Sequence, residues 1–340
     1  MLRLITLKEM TEKGCNFFEK VIRICEANIK LVSNKKEFLA FKKGVIADIE
    51  TDFYKVKEVR IPSTSVDAYF YMIDEDSQPR IQIGSDTIIV QGNLLELEKR
   101  AKDIRFSLLG NEGLFYRFTL KVLEDIHDIF SFHACSLFDE KKERLYIICG
   151  GAGSGKTVFL LKGIEVGLKI FSTEMTHFKF QSTGKLRFYK GSLLDNIRIG
   201  NLKYDYPKAR EMLNIDLPQV KDEWGTKIVT DLSQFQVPSD YLNSPQIFLV
   251  FPHIEQEKRE SIVNEIKDKR VISKRLYENI SSKIGETILL YEKIPVAGLD
   301  TPLSAKRRLQ AVNKFIQYGK LQKAVNVIAG AKNCLKGVKE

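Results

Sequence analysis

The sequence lacks the features that would place it in a membrane, a disulfide scaffold or a metal cage. No apolar run approaches the ~20 residues of a membrane span. The opening MLRLITLKEMTEKG mixes charge into its first turn, where a secretory peptide would carry an apolar core. Both observations lead to the expectation of a soluble, cytoplasmic protein with no membrane partner. The five cysteines (Cys15, Cys25, Cys135, Cys149, Cys334) are odd in number, widely spaced and form no CxxC pair. That argues against a disulfide framework or a zinc site and for reduced core thiols. His127, His177 and His253 show no ligand spacing with one another, so a histidine-based metal centre is not expected. Internal repeats, low-complexity tracts and RNP-like or zinc-finger patterns are also absent, and nucleic acid is not expected as a partner.

At 340 residues the chain exceeds the usual size of one domain. Residues 1 to about 50 read as helical, with Phe17, Phe18, Val21, Ile22, Ile24 and Cys25 clustered before NKKEF. From about 57 to 95 short β-like runs follow (KVKEVRIP, DAYFYMID, PRIQIGSDTIIVQG), punctuated by Pro62, Pro79 and Gly84. Helical character returns from NLLELEKRAKDIRFSLL onward. A boundary near residue 110, at LLGNEG, separates an expected N-terminal α+β domain (1–110) from a second domain (111–300). The net charge of +10 points to phosphate-bearing or acidic partners. Residues 301–340 hold nine Lys/Arg against one acid, with Leu303, Leu309, Val312, Phe315, Ile316, Leu321, Val325 and Ile328 near helical spacing. They are expected to form basic amphipathic helices, either a solvated face or a docking surface for an acidic protein or nucleic acid.

The stretch RLYIICGGAGSGKTVFLL, Arg144 to Leu161, carries the chemistry. Gly150, Gly151, Ala152, Gly153, Ser154, Gly155, Lys156 and Thr157 satisfy G-x-x-x-x-G-K-[ST], between an apolar run and a helical one. Converging backbone N–H groups need glycine where a Cβ would block approach to a phosphate or forbid the required dihedrals. Lys156 then brings a point charge to the terminal phosphates, Thr157 offers a hydroxyl to Mg²⁺, and the helix adds its positive end. The remaining reading is a glycine turn with no ligand.

Flanking segments extend the pattern. FHACSLF precedes the loop as a strand carrying His133, and LKIF follows the loop helix as a strand leading into Ser172, Thr173 and Glu174. Over about residues 130–176 the chain resembles the kinase domain of the HPr kinase/phosphorylase family, itself related to PEP carboxykinases. The resemblance implies a phosphate loop at Gly150–Thr157, a histidine at His133 and, after the next strand, a pair of acids. One of that pair takes the proton of the attacking hydroxyl and one helps to hold the metal. Here Thr173 stands in the first acid's place and only Glu174 remains. Three readings of this departure stand open: Glu174 serves as the base while Thr157 and water hold Mg²⁺, a second carboxylate comes from Asp195, Asp231 or Glu255, each of which also suits a turn or a cap, or phosphoryl transfer is weak or absent.

Strands near 132–138, 145–149, 169–173, 177–181, 186–190 and 247–251, with helices near 156–166 and 254–270, predict an α/β fold. It has a mixed, partly antiparallel sheet flanked by helices, with a hairpin at Ser182–Lys185. That arrangement is similar to the PEP carboxykinase-like one. The expected function is a Mg²⁺-dependent kinase using ATP, or another donor such as pyrophosphate. The acceptor would be a hydroxyl on a protein or small molecule, with catalytic Glu174, His133 and Lys156 and metal contacts from Thr157 and Glu174. A nucleotide-binding regulatory protein is the alternative. An ordinary P-loop NTPase would require a later core strand ending in Asp, whereas IFLVF runs into Pro252 and His253. A homo-oligomer is compatible with the sequence.

Overall fold

A computed structural model of the chain describes residues 16–40, 49, 52–255 and 260–338. Among these residues two large mixed sheets form, together with helices on their faces. The first sheet holds β1 (Phe18–Ile24), β2 (Ala27–Ser33), β3 (Lys57–Val59), β4 (Ala68–Asp74), β5 (Arg80–Ile83) and β6 (Thr87–Gly92), in the order β3-β1-β2-β4-β6-β5. The β2–β4 and β4–β6 pairs are parallel and the others antiparallel.

The helix expected before residue 50 is replaced by the β1–β2 hairpin. Ile22 and Ile24 point inward on alternate residues, as do Ala27, Ile29 and Leu31. A short apolar run fits either period, and here the β-branched residues find cross-strand partners. Cys25 takes the turn with φ 51°. The rest of that expectation, residues 1–15 and 41–48, lies outside the described residues. The helix Leu114–His127 is buried along most of its length and shares one core with this sheet through Leu114, Phe115, Phe118 and Val122.

The second sheet is built on β7 (Phe130–Asp139) and β8 (Arg144–Cys149), antiparallel across a charged turn. After the helix Lys156–Glu165 come β9 (Lys169–Ser172), β10 (Met175–Phe180) and β11 (Leu186–Tyr189), the last two forming the expected hairpin, with Gly184 at φ 76°. β12 (Leu194–Arg198) pairs with β13 (Lys227–Asp231) outside the sheet. β14 (Tyr241–Asn243), β15 (Gln246–Ile254) and β16 (Ser261–Glu265) precede the helix Lys269–Gly285. A small pair, β17 (Ile288–Leu290) and β18 (Ile294–Val296), leads to the helix Pro302–Tyr318 and to β19 (Leu321–Ala329). The strand order is β14-β11-β10-β7-β8-β15-β19-β16, with β9 also on β7. Among these strands only β8–β15 and β15–β19 run parallel, so the sheet is mixed, as expected, and more antiparallel than parallel.

The pleat divides the core. Tyr146 and Ile148 of β8, with Phe248 and Val250 of β15, face the helix that follows the glycine loop. Leu145, Ile147, Ile247 and Leu249 face the helices Lys269–Gly285 and Pro302–Tyr318 on the other side. Two expectations fail in this region. The helix expected at 254–270 is not formed over 254–255 and 260–268: β15 stays extended to Ile254, where Pro252 and His253 still pair with Val327 and Ile328, and the helix starts only after Asp268, whose carboxylate accepts from the Arg270 N–H; residues 256–259 lie outside the described residues. The second basic C-terminal helix is instead β19, seated between β15 and β16, after a break at Gly319–Lys320. The first helix is present, but its charge is partly internal. Arg308 is 0% exposed and binds Glu124 and Asp300, and Arg307 reaches Asp125 and Asp128. No helix among the described residues is long and apolar enough to cross a membrane.

Candidate active site

β8 delivers the chain from the core into the glycine loop at Gly150, and the helix Lys156–Glu165 takes it away. Gly153 (φ 80°) and Gly155 (φ 101°) lie in the left-handed region that favours glycine. A Cβ on Gly155 would stand 2.2 Å from Ile254 Cγ1, whereas one on Gly151 or Gly153 would meet nothing within 4 Å. The loop is therefore braced underneath by Ile254 and open above, the shape a phosphate requires.

The Lys156 side chain folds back over the loop. Its ammonium donates to the carbonyls of Gly150 (2.9 Å) and Gly151 (3.4 Å), reaches His133 Nε2 at 2.9 Å and lies 3.7 Å from Glu174 Oε2. β7 positions His133, whose carbonyl accepts from Gly150 N–H and from Asn279 Nδ2. Glu174 sits in the turn between β9 and β10, held by Ala134 N–H to its carbonyl, and its Oε1 meets His133 Nε2 at 2.7 Å. Burial works against a charge on Glu174, but the Lys156 ammonium and the His133 hydrogen bond outweigh it and hold the carboxyl well below its usual range. Burial, with the Lys156 charge, lowers the His133 pKa despite the opposing Glu174 hydrogen bond, an environment that favours the neutral ring.

Thr173 is directed elsewhere. It is buried, and its hydroxyl faces the carbonyls of Ser192 (3.0 Å) and Leu194 (2.7 Å), fastening β9 to the segment that leads into β12. Glu174 lines a cleft of ≈ 730 Å³ that opens over the loop, and Asp195 lines it too. Asp195 Oδ1 accepts from Asn196 N–H at 2.8 Å, while Oδ2 is buried and takes no hydrogen bond among the described residues. Burial and the Glu174 charge push Asp195 up to about 6, opposed by the neighbouring Thr157 hydroxyl. Asp231 instead closes a turn, accepting from Ser233 N–H at 2.8 Å, and Glu255 lies exposed 3.7 Å from His253; neither is among the residues lining the cleft.

Asp52 carries no sequence signal that marks it as a site residue. It is 4% exposed and lines the same cleft, and its Oδ2 has no partner among the described residues. Burial, then the Glu174 charge, raises its pKa well above the usual value. No motif surrounds it, so only the fold brings it here. Glu112 is a second addition: Lys283 binds it at 2.6 Å, and it lines both this cleft and an adjoining one of ≈ 710 Å³ that reaches His133, Arg117 and Asn279. His177 is structural, bonded to Ser131 Oγ at 2.7 Å and stacked on Phe53. Among the described residues no group of three His, Cys, Asp or Glu side chains stands ready for a metal. Thr157 with Asp195 suits Mg²⁺, which retains several waters and needs only one or two carboxylates. No protein-family model matches the chain, and no curated protein matches it.

Proposed function

We propose that the chain is a Mg²⁺-dependent kinase of the PEP carboxykinase-like, P-loop kind, moving a phosphoryl group from ATP or a similar donor to a hydroxyl on a protein or small molecule. The observation that carries this reading is the convergence on one cleft of an open glycine loop, Lys156, Glu174 and the Thr157–Asp195 pair. The loop amides and Lys156 position the donor and neutralise its charge. Thr157 and Asp195 would hold Mg²⁺, which would neutralise charge on the donor and leave Glu174 free for the acceptor. The acceptor oxygen bonds to phosphorus as the bond to the leaving phosphate breaks, and the hydroxyl proton passes to Glu174. Lys156 is the main influence that keeps Glu174 weakly basic, so its engagement by phosphate restores basicity as the donor binds.

The test is ADP formation by the wild type and Lys156→Ala against a panel of hydroxyl acceptors. Acceptor-dependent ADP from the wild type and none from the variant is expected; equal rates sink the proposal. The turning away of Thr173 favours a second reading, a nucleotide-binding regulator, which the same assay identifies as binding without turnover.

A further inference from the structure

The cleft extends well beyond the loop, to Arg198, Asn201, Asp205, Trp224 and Lys227. Trp224 is the chain's single tryptophan and is 37% exposed. A Cβ on Gly200 would lie 2.5, 2.6 and 2.8 Å from ring atoms Cδ2, Cε3 and Cε2, so the indole lies face-on against that glycine. Tyr204 stacks beside it, with centroids 6.0 Å apart and planes at 24°. Around this wall the backbone is tied. Gly200 N–H donates to Glu223 O, Arg198 donates to Trp224 O, and Glu223 binds both Lys203 and the Tyr204 hydroxyl at 2.6 Å. Asn201–Asp205 forms a single π-helical turn, a geometry frequent at functional sites. Ile254, which braces Gly155, also lines the cleft.

An immobilised aromatic wall, a polar Asn201–Asp205 edge and a phosphate-shaped loop in one cleft describe a ligand with a flat heteroaromatic head and an anionic tail. We propose that the Trp224 end is a nucleobase subsite, so that the donor is a nucleoside polyphosphate and not an inorganic one such as pyrophosphate. This rests on the phosphate-loop reading above. A ≈ 730 Å³ cleft is of the size that takes a whole nucleotide, which a bare phosphate chain would not fill. Base–aromatic stacking supplies roughly 10-fold or more in affinity.

The single indole reports binding directly. With Mg²⁺ present, ATP, GTP, tripolyphosphate and pyrophosphate are titrated while Trp224 emission is followed, and affinities are measured in parallel by calorimetry. The tighter of ATP and GTP is expected to shift the emission and to bind about 10-fold or more tightly than tripolyphosphate. Trp224→Ala should bring its affinity to the tripolyphosphate level without changing that of tripolyphosphate, and Trp224→Phe should restore most of the difference. Equal wild-type affinities for nucleotide and tripolyphosphate, both lost in Lys156→Ala, overturn the base subsite and leave the loop reading standing. Failure of all four ligands to bind overturns both.

Discussion

His133 on β7 and Glu174 in the β9–β10 turn meet at 2.7 Å, Nε2 to Oε1, while the Lys156 ammonium stands 2.9 Å from the same nitrogen. A neutral imidazole nitrogen either donates or accepts, so Nε2 cannot serve both neighbours at once. With the proton on Nε2, the ring fixes Glu174 and releases Lys156; without it, the ring holds Lys156 and leaves Glu174 to the ammonium. A phosphate in the loop would attract Lys156 and select the first arrangement. In the proposed reaction His133 would be a positioning residue between the two charges.

Glu174→Gln follows from this contact. The amide keeps the shape, and the 29% exposure of the Glu174 side chain makes loss of its charge tolerable to the fold. Turnover in the acceptor assay is expected to fall by about 10² or more, the scale for a lost positioned proton acceptor, with nucleotide affinity changed only a few-fold. A variant as fast as the wild type would remove Glu174 from the chemistry.

Asp195 gives a pH signature in metal-free protein. Its folded pKa of about 6 lies above the unfolded value of ~3.9, so the native state binds the extra proton. The associated stability is complete below about pH 4 and is lost as pH rises through 6. Asp195→Asn removes the loss: it should match the wild type in urea melts at low pH and exceed it by about 3 kcal/mol at pH 7.5 in EDTA. Because the Glu174 charge helps to raise Asp195, Glu174→Gln should move the wild-type loss to lower pH. A stability difference that is flat with pH would contradict the burial of this carboxylate.

The glycine loop, its flanking strands and His133 were legible because their pattern is local: an apolar run, glycines at fixed offsets, then a helix. Glu174 was legible as the end of the next strand. Asp52 was not, since its place depends on packing between distant segments, and Thr173 could not be seen to face the carbonyls of Ser192 and Leu194. The N-terminal hairpin and β19 depart from the helices their sequences suggest, for one shared reason. Val, Ile and Phe at close spacing satisfy a helical stripe and a pleated strand alike until pairing partners are known. Arg308 shows the same limit for charge, since a basic run in sequence conceals which of its members is buried.

Arg308→Ala should be the most costly change in the basic C-terminal helix. The guanidinium is fully buried and binds Glu124 at 2.8 and 2.9 Å and Asp300 at 2.7 and 3.0 Å; burial already pushes Glu124 up to about 7. Removing it strands a buried carboxylate, with an expected loss of about 3–5 kcal/mol in urea unfolding. Exposed Lys306→Ala is the control and should fall within about 0.5 kcal/mol of the wild type. Equal effects of the two would show that Arg308 does not bridge the helices.

Thr173→Asp would recreate the acidic pair of the HPr kinase-like pattern, and on sequence grounds it would add charge near Mg²⁺. The geometry predicts another outcome. Thr173 is 1% exposed, and its hydroxyl donates toward two carbonyl oxygens, 3.0 and 2.7 Å away. An aspartate there sets acceptor against acceptor and buries a charge without a donor, at a cost of about 3–5 kcal/mol. Turnover per folded molecule should not rise, while the unfolding midpoint drops. Thr173→Ser, which keeps the hydroxyl, should retain most of the stability. The decisive comparison is the Asp variant's melting curve beside its rate: a stable variant with faster turnover would mean that position 173 reaches the cleft and that the metal is held by the Thr173–Glu174 turn instead of by Asp195.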